Sequence, residues 1–159
     1  MISEPRKLLD DVGSRLVCEL QRDARLSYAE LGRRVGLSTP SVKERVLRLE
    51  EAGIITGYHA RVDAAKMGLP ITAIVRIQVP GSGAQRVARG LAETPEVCDC
   101  YHVTGEDCYV CLVRVPSVGD MEDLIERLSR YGSTTTSIVL SSPMNGRMIE
   151  PRPTVSSGR

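Results

Sequence analysis

The sequence predicts an α+β protein in two parts: an N-terminal (winged) helix-turn-helix unit and a C-terminal ferredoxin-like βαββαβ unit. Three observations carry this. Residues 27–49, SYAELGRRVGLSTPSVKERVLRL, hold two short amphipathic patterns joined at a glycine. From Ile71 onward, strand-like and helix-like stretches follow in the order β-α-β-β-α-β. Between the two lies AAKMGLP, residues 64–70, whose Gly68 and Pro70 mark a boundary. The expected organisation is therefore a helix-turn-helix unit over 1–63, a linker over 64–70, the βαββαβ unit over 71–142, and a loose tail over 143–159.

Each element has a local reason. A first helix is expected over 8–23, with Leu9, Val12, Leu16 and Leu20 on one face. Ser27 followed three residues later by Glu30 is a capping box, which starts a helix at Tyr28. Leu31 and Val35 share one face of it, and Gly36 ends it. Ser38 caps the next helix and Pro40 fits its first turn. Val42, Val46 and Leu49 continue the apolar stripe. After Gly53, IITGYHARVD has the β-branched character of a strand.

In the second half, residues 71–79 alternate apolar and polar, and Pro80-Gly81-Ser82-Gly83 breaks the pattern before a helix over 84–93. Strands over 97–104 and 108–115 form a hairpin around Gly105, Glu106 and Asp107. Ser117 with Asp120 caps a helix whose Val118, Met121, Leu124, Ile125 and Leu128 form a stripe. Residues 134–140 are the last strand. Two helices cover one sheet face, and a bare second face predicts an oligomer.

Two short helices joined by a glycine-containing turn are the geometry that seats a second helix in a DNA major groove. The face left over for DNA carries Ser38, Thr39, Pro40, Ser41, Lys43, Arg45 and Arg48. Between Arg25 and Arg48 there are six Arg/Lys against two acids, in a 159-residue chain of net charge +1. Affinity must then come from a local patch. The chain has neither Trp nor Phe, which argues against aromatic stacking on single strands and for duplex DNA. A hydrophobic content of 42% is ample for a core. The absence of a long apolar run or a secretory leader points to the cytoplasm, away from membranes.

Five cysteines invite a metal reading, with Cys98-x-Cys100 and Cys108-x-x-Cys111 on paired strands. Zinc cysteines usually sit on turns, so packing is the better reading, and neither metal nor cofactor is expected. Cys108 as nucleophile with His102 as base would make an enzyme, but no oxyanion site points at the pair. It also leaves the helix-turn-helix unexplained. His59 and His102 are read as structural. A stand-alone effector-binding or scaffolding oligomer without DNA affinity is the remaining alternative. The polar and basic recognition face speaks against it.

The chain resembles the Lrp/AsnC (leucine-responsive, feast/famine) family of prokaryotic transcription regulators. LDDVGSRLVCELQRDARLSYAELGRRVGLS and VKERVLRLEEAGIITGY look like its DNA-binding half, and TPEVCDCYHVTGEDCYVCLVRV like its effector-domain core. The resemblance implies a symmetric dimer built through the effector-domain sheets, often assembled into tetramers or octamers. It also implies a small effector, typically an amino acid, bound between effector domains of neighbouring dimers. The family's Gly-x-x-Asp turn carries over onto Gly105, Glu106, Asp107 and Cys108, so Cys108 stands where the aspartate is common. The implied effector residues are Thr104, Gly105, Glu106, Asp107 and Cys108, with Thr134 and Thr136 from a neighbouring subunit.

Overall fold

The computed structural model describes residues 5–80 and 83–151. The expected break at Gly81 and Ser82 and the tail from residue 152 lie outside the described residues. The chain divides into two compact units. One holds the described residues through Ala60 together with those from Met144, and the other spans Arg61–Pro143.

The first unit is helical: α1 (Pro5–Leu8), α2 (Asp11–Arg22), α3 (Tyr28–Val35) and α4 (Thr39–Glu51). The single helix expected over 8–23 is interrupted. Asp10 adopts an extended conformation and its carboxylate accepts from the Gly13 amide at 2.7 Å, so it caps α2 and ends α1. Ser27 caps α3 and Ser38 caps α4, each accepting from the amide three residues on. Gly36, at φ +77°, turns the chain between them in the left-handed region that glycine alone enters freely. Leu16, Leu20, Leu31, Val35, Val42, Val46 and Leu49 form the core. Each fully buried side chain of this kind contributes roughly 1.5–3 kcal/mol.

No strand forms over 54–63. The Ile54 and Ile55 amides instead donate to the Leu49 carbonyl, closing the end of α4, and both side chains pack on the helical core. A strand needs a neighbour to pair with, and this unit has none among the described residues. Residues expected to trail free also have a partner. The Gln21 side chain donates to the Ile149 carbonyl at 2.8 Å and accepts from the Ile149 amide at 2.9 Å.

The second unit opens with a 3₁₀ turn at Ala65–Met67, inside the expected linker. It continues with β1 (Ile71–Gln78), α5 (Ala84–Ala92), β2 (Val97–His102), β3 (Tyr109–Val115), α6 (Val118–Ser129) and β4 (Ser133–Ile138). The four strands form one antiparallel sheet in the order β2-β3-β1-β4. Ala73, Val75 and Ile77 of β1 and Tyr109, Cys111, Val113 and Val115 of β3 are buried, with Val87 and Leu91 of α5 and Met121, Leu124 and Leu128 of α6. The alternate residues face away from this core. Ile74 and Arg76 are exposed there, opposite the half-buried Leu112 and Val110.

Candidate functional site

On α4, the apolar stripe turns Val42, Val46 and Leu49 inward. Ser38, Thr39, Pro40, Lys43 and Arg48 are exposed, and Ser41 and Arg45 are half-buried. The first turn is polar: the Ser38 and Ser41 hydroxyls lie 2.9 Å apart, and Ser38 Oγ also accepts from the Ser41 amide. Leu47, half exposed beside these groups, escaped the sequence reading. Its signal was there, since it falls outside the 42–46–49 stripe.

Several arginines on this unit come with their own carboxylates. Arg45 Nη1 donates to both oxygens of Asp10, at 2.8 and 2.9 Å. Arg48 reaches Glu44 one turn away at 2.6 Å. On α3, Arg34 bridges Glu19 at 2.6 Å and Glu30 at 2.9 Å. Lys43 forms no ion pair among the described residues. Exposed pairs of this kind add little stability, so they hold side chains in place more than they hold the fold.

Two carboxyls record these contacts. The Gly13 amide, then Arg45, keep the Asp10 carboxyl below the ordinary range, against partial burial. Arg34, then Arg22, do the same for Glu19. A carboxyl lowered in the folded state stabilises above its unfolded pKa, and that contribution disappears as pH falls through the folded value. The melting temperature is therefore expected to drop below about pH 4. Asp10→Asn, which keeps a cap and loses the charge, makes that acid limb shallower in calorimetry. An unchanged pH profile would show that the pair is idle.

The second candidate site is the turn between β2 and β3. The Val103 amide donates to the Cys108 carbonyl at 3.0 Å to close it, and the Cys108 amide donates to the Ile77 carbonyl at 2.9 Å. Thr104, Gly105 and Glu106 are exposed, while Asp107 and Cys108 are half-buried. Gly105 sits at φ +115°, and a Cβ built there meets nothing within 4 Å. The turn thus needs glycine for its backbone, with open space beside it.

Cys108 points inward. Its sulfur accepts from the Val79 amide at 3.4 Å and packs against the sheet core. The acid groups of the turn are therefore Glu106 and Asp107. Thr134 pairs with Ile77 and Thr136 with Val75, which puts both half-buried side chains on the helix-covered face. Thr134 and Cys108 flank Ile77 from either side, about two strand spacings or 10 Å apart. Within one chain the two sets share one end of the sheet.

Elsewhere, His102 stacks on Tyr109 with ring centroids 5.0 Å apart. Cys111 is buried as a small hydrophobe, whereas Cys98 and Cys100 are exposed, which packing alone did not anticipate. Among the described residues, no group of three His, Cys, Asp or Glu is placed to hold a metal ion. No described helix is long and apolar enough to cross a membrane.

These features define a two-unit protein, with a capped helix of polar and basic outer face in one unit and an open glycine turn in the other. The family model for the AsnC-type helix-turn-helix domain matches residues 9–50, and that for the Lrp/AsnC ligand binding domain matches 72–149. The chain is 38% identical over 141 residues to the HTH-type transcriptional regulator LrpC of Bacillus subtilis, covering 87% of this chain and 98% of that one. It is 40% identical over 138 residues to LrpA of Mycobacterium tuberculosis, covering 84% and 91%. A feast or famine regulatory protein from M. tuberculosis, solved in complex with L-methionine, superposes with a TM-score of 0.85 at 38% identity. That match covers 90% of this chain and 99% of the other. The chain belongs to the Lrp/AsnC family of DNA-binding transcriptional regulators, which are not enzymes.

Proposed function

We propose that the protein is a cytoplasmic, sequence-specific regulator whose DNA binding responds to a small effector, an amino acid, held at subunit interfaces. The observation that carries this reading is the polar and basic outer face of α4, capped at Ser38 and set behind the Gly36 turn. Thr39, Ser41 and Lys43 near the start of the helix sample base edges, and Arg45 and Arg48 take phosphates or bases. Leu47 suits a thymine methyl. The free amides at the start of α4 favour a phosphate.

The protein acts as a homodimer, or a tetramer or octamer built from it. The open sheet face, which carries Ile74, Val110 and Leu112 beside Arg76, supports this, because uncovered apolar surface marks an interface. The effector reading rests on L-methionine complexes of two similar structures. One is the protein from M. tuberculosis above; the other, from Neisseria meningitidis, is 27% identical with a TM-score of 0.80. Here an amino acid would meet Thr104, Gly105, Glu106, Asp107 and Cys108 of one subunit and Thr134 and Thr136 of a neighbour. Exposed turn amides suit its carboxylate and Glu106 or Asp107 its ammonium. Binding between subunits biases assembly, and with it the spacing of the reading heads.

A thermal-shift screen of the amino acids tests the reading, since a ligand that binds only the native state raises its melting temperature. A stabilising amino acid should also change the protein's affinity for its own upstream DNA. Gly105→Leu, which puts a side chain into the open space at a strained φ, is expected to abolish that response and spare basal DNA binding. A variant that responds with unchanged affinity moves the pocket elsewhere.

A further inference from the structure

We infer that Cys100 and Cys111 form a peroxide-sensitive site that closes into a disulfide across β2 and β3. The two are direct register partners in the antiparallel pair, and their sulfurs lie 3.4 Å apart. Directly opposed residues of such a pair have Cα atoms about 4.5–5.5 Å apart, within the span a disulfide bridges. Closing a bond of about 2.05 Å asks for a side-chain adjustment of little more than 1 Å. No backbone rearrangement is needed.

The environments of the two thiols differ, and the difference sets their order of reaction. Cys100 is exposed on the edge strand, whereas Cys111 is fully buried. Beside Cys100 a cavity of about 390 Å³ opens between β2 and α5, walled by Leu91, Val97, Cys98 and His102. That is ample for a peroxide molecule. Burial first, then the neighbouring Cys100, push the Cys111 thiol up to about 12, so it stays protonated and waits.

The chemistry balances with one molecule of hydrogen peroxide. The Cys100 thiolate attacks the O–O bond and takes one oxygen as sulfenic acid; the departing hydroxide takes up a proton and leaves as water. Cys111 sulfur then attacks Cys100 sulfur. The S–O bond breaks, the departing hydroxide receives the Cys111 proton, and a second water leaves. Two thiols are oxidised and one peroxide is reduced. The new bond closes a ring that contains the turn over 103–108, so oxidation tethers both strands that present it. The inference stands independently of the effector reading.

The test uses the full-length protein, treated with hydrogen peroxide near pH 7, alkylated, and read by intact mass and peptide mapping. Wild type is expected to lose about 2 Da, with Cys100 and Cys111 peptides joined, and to be restored by dithiothreitol. Cys111→Ala should stop at a Cys100 sulfenic acid that dimedone traps. Cys100→Ser, a change at an exposed position, should leave Cys111 a free thiol; it keeps the test decisive even if the buried substitution unfolds the sheet. Three results overturn the inference: Cys100 advancing to sulfinic acid beside an unmodified Cys111, a bond between Cys98 and Cys100, or no oxidation where free cysteine is consumed.

Discussion

Replacing Lys43 and Arg48 together with alanine is expected to abolish measurable operator binding at physiological salt while leaving the fold intact. Both side chains are exposed on α4, so their loss opens no cavity. A base-reading arginine is worth roughly 1–3 kcal/mol and a phosphate contact slightly less. In a dimer with two reading heads each change counts twice, so the double variant loses four contacts and forfeits on the order of 4–12 kcal/mol. Single variants separate the roles by fluorescence anisotropy over a salt series. A phosphate contact weakens all sequences alike and flattens the salt slope by about one, whereas a base contact relaxes specificity at one position. Arg45→Ala differs because Asp10 already holds that guanidinium. Its loss breaks that pair along with the proposed DNA contact. Full DNA affinity in both Arg45→Ala and Arg48→Ala would move recognition off this helix.

Placing aspartates on the open sheet face, Ile74→Asp with Leu112→Asp, is expected to convert the assembly to single chains. These residues are register partners on adjacent strands, pointing away from the helices. Across a two-fold axis the same patch meets itself, so each introduced charge confronts a like charge in an apolar contact. Light scattering should fall from twice 17.4 kDa, or a higher even multiple, to 17.4 kDa. Losing the second reading head should cost about 10²–10⁴ in affinity for a site with two half-sites, because the intramolecular second contact vanishes. Wild type scattering as one chain at micromolar concentration would refute the dimer outright.

What the sequence disclosed was mostly local. Ser27, Ser38 and Ser117 announced helix starts within a few residues of their own positions, and all three accept the expected amide. Strand alternation in β1 and β3 survived because a one-residue slip would have turned Val75 and Cys111 to the wrong face. The failures came where one group had competing partners. Asp10 had to be weighed as a cap and as the partner of Arg45, 35 residues away. Ile54 and Ile55 carry strand propensity, yet the Leu49 carbonyl took their amides first. At the turn, the departure at Cys108 was visible in the chain, but not its commitment to Val79, which depends on how β1 leaves the sheet.

The docking of Ile149 onto Gln21, 128 residues apart in sequence, has a consequence for how the molecule comes into being. The three core helices are close neighbours in the chain and assemble on the fast timescale of local contacts. During synthesis they emerge before the strands of the second unit and collapse early. Their partner Ile149 follows β4 in the chain, so it leaves the ribosome after every strand of the sheet. The helical unit therefore begins to form before the sheet is synthesised and receives Ile149 only after it. A chain that stalls before residue 149 carries a formed reading head without that closing strap.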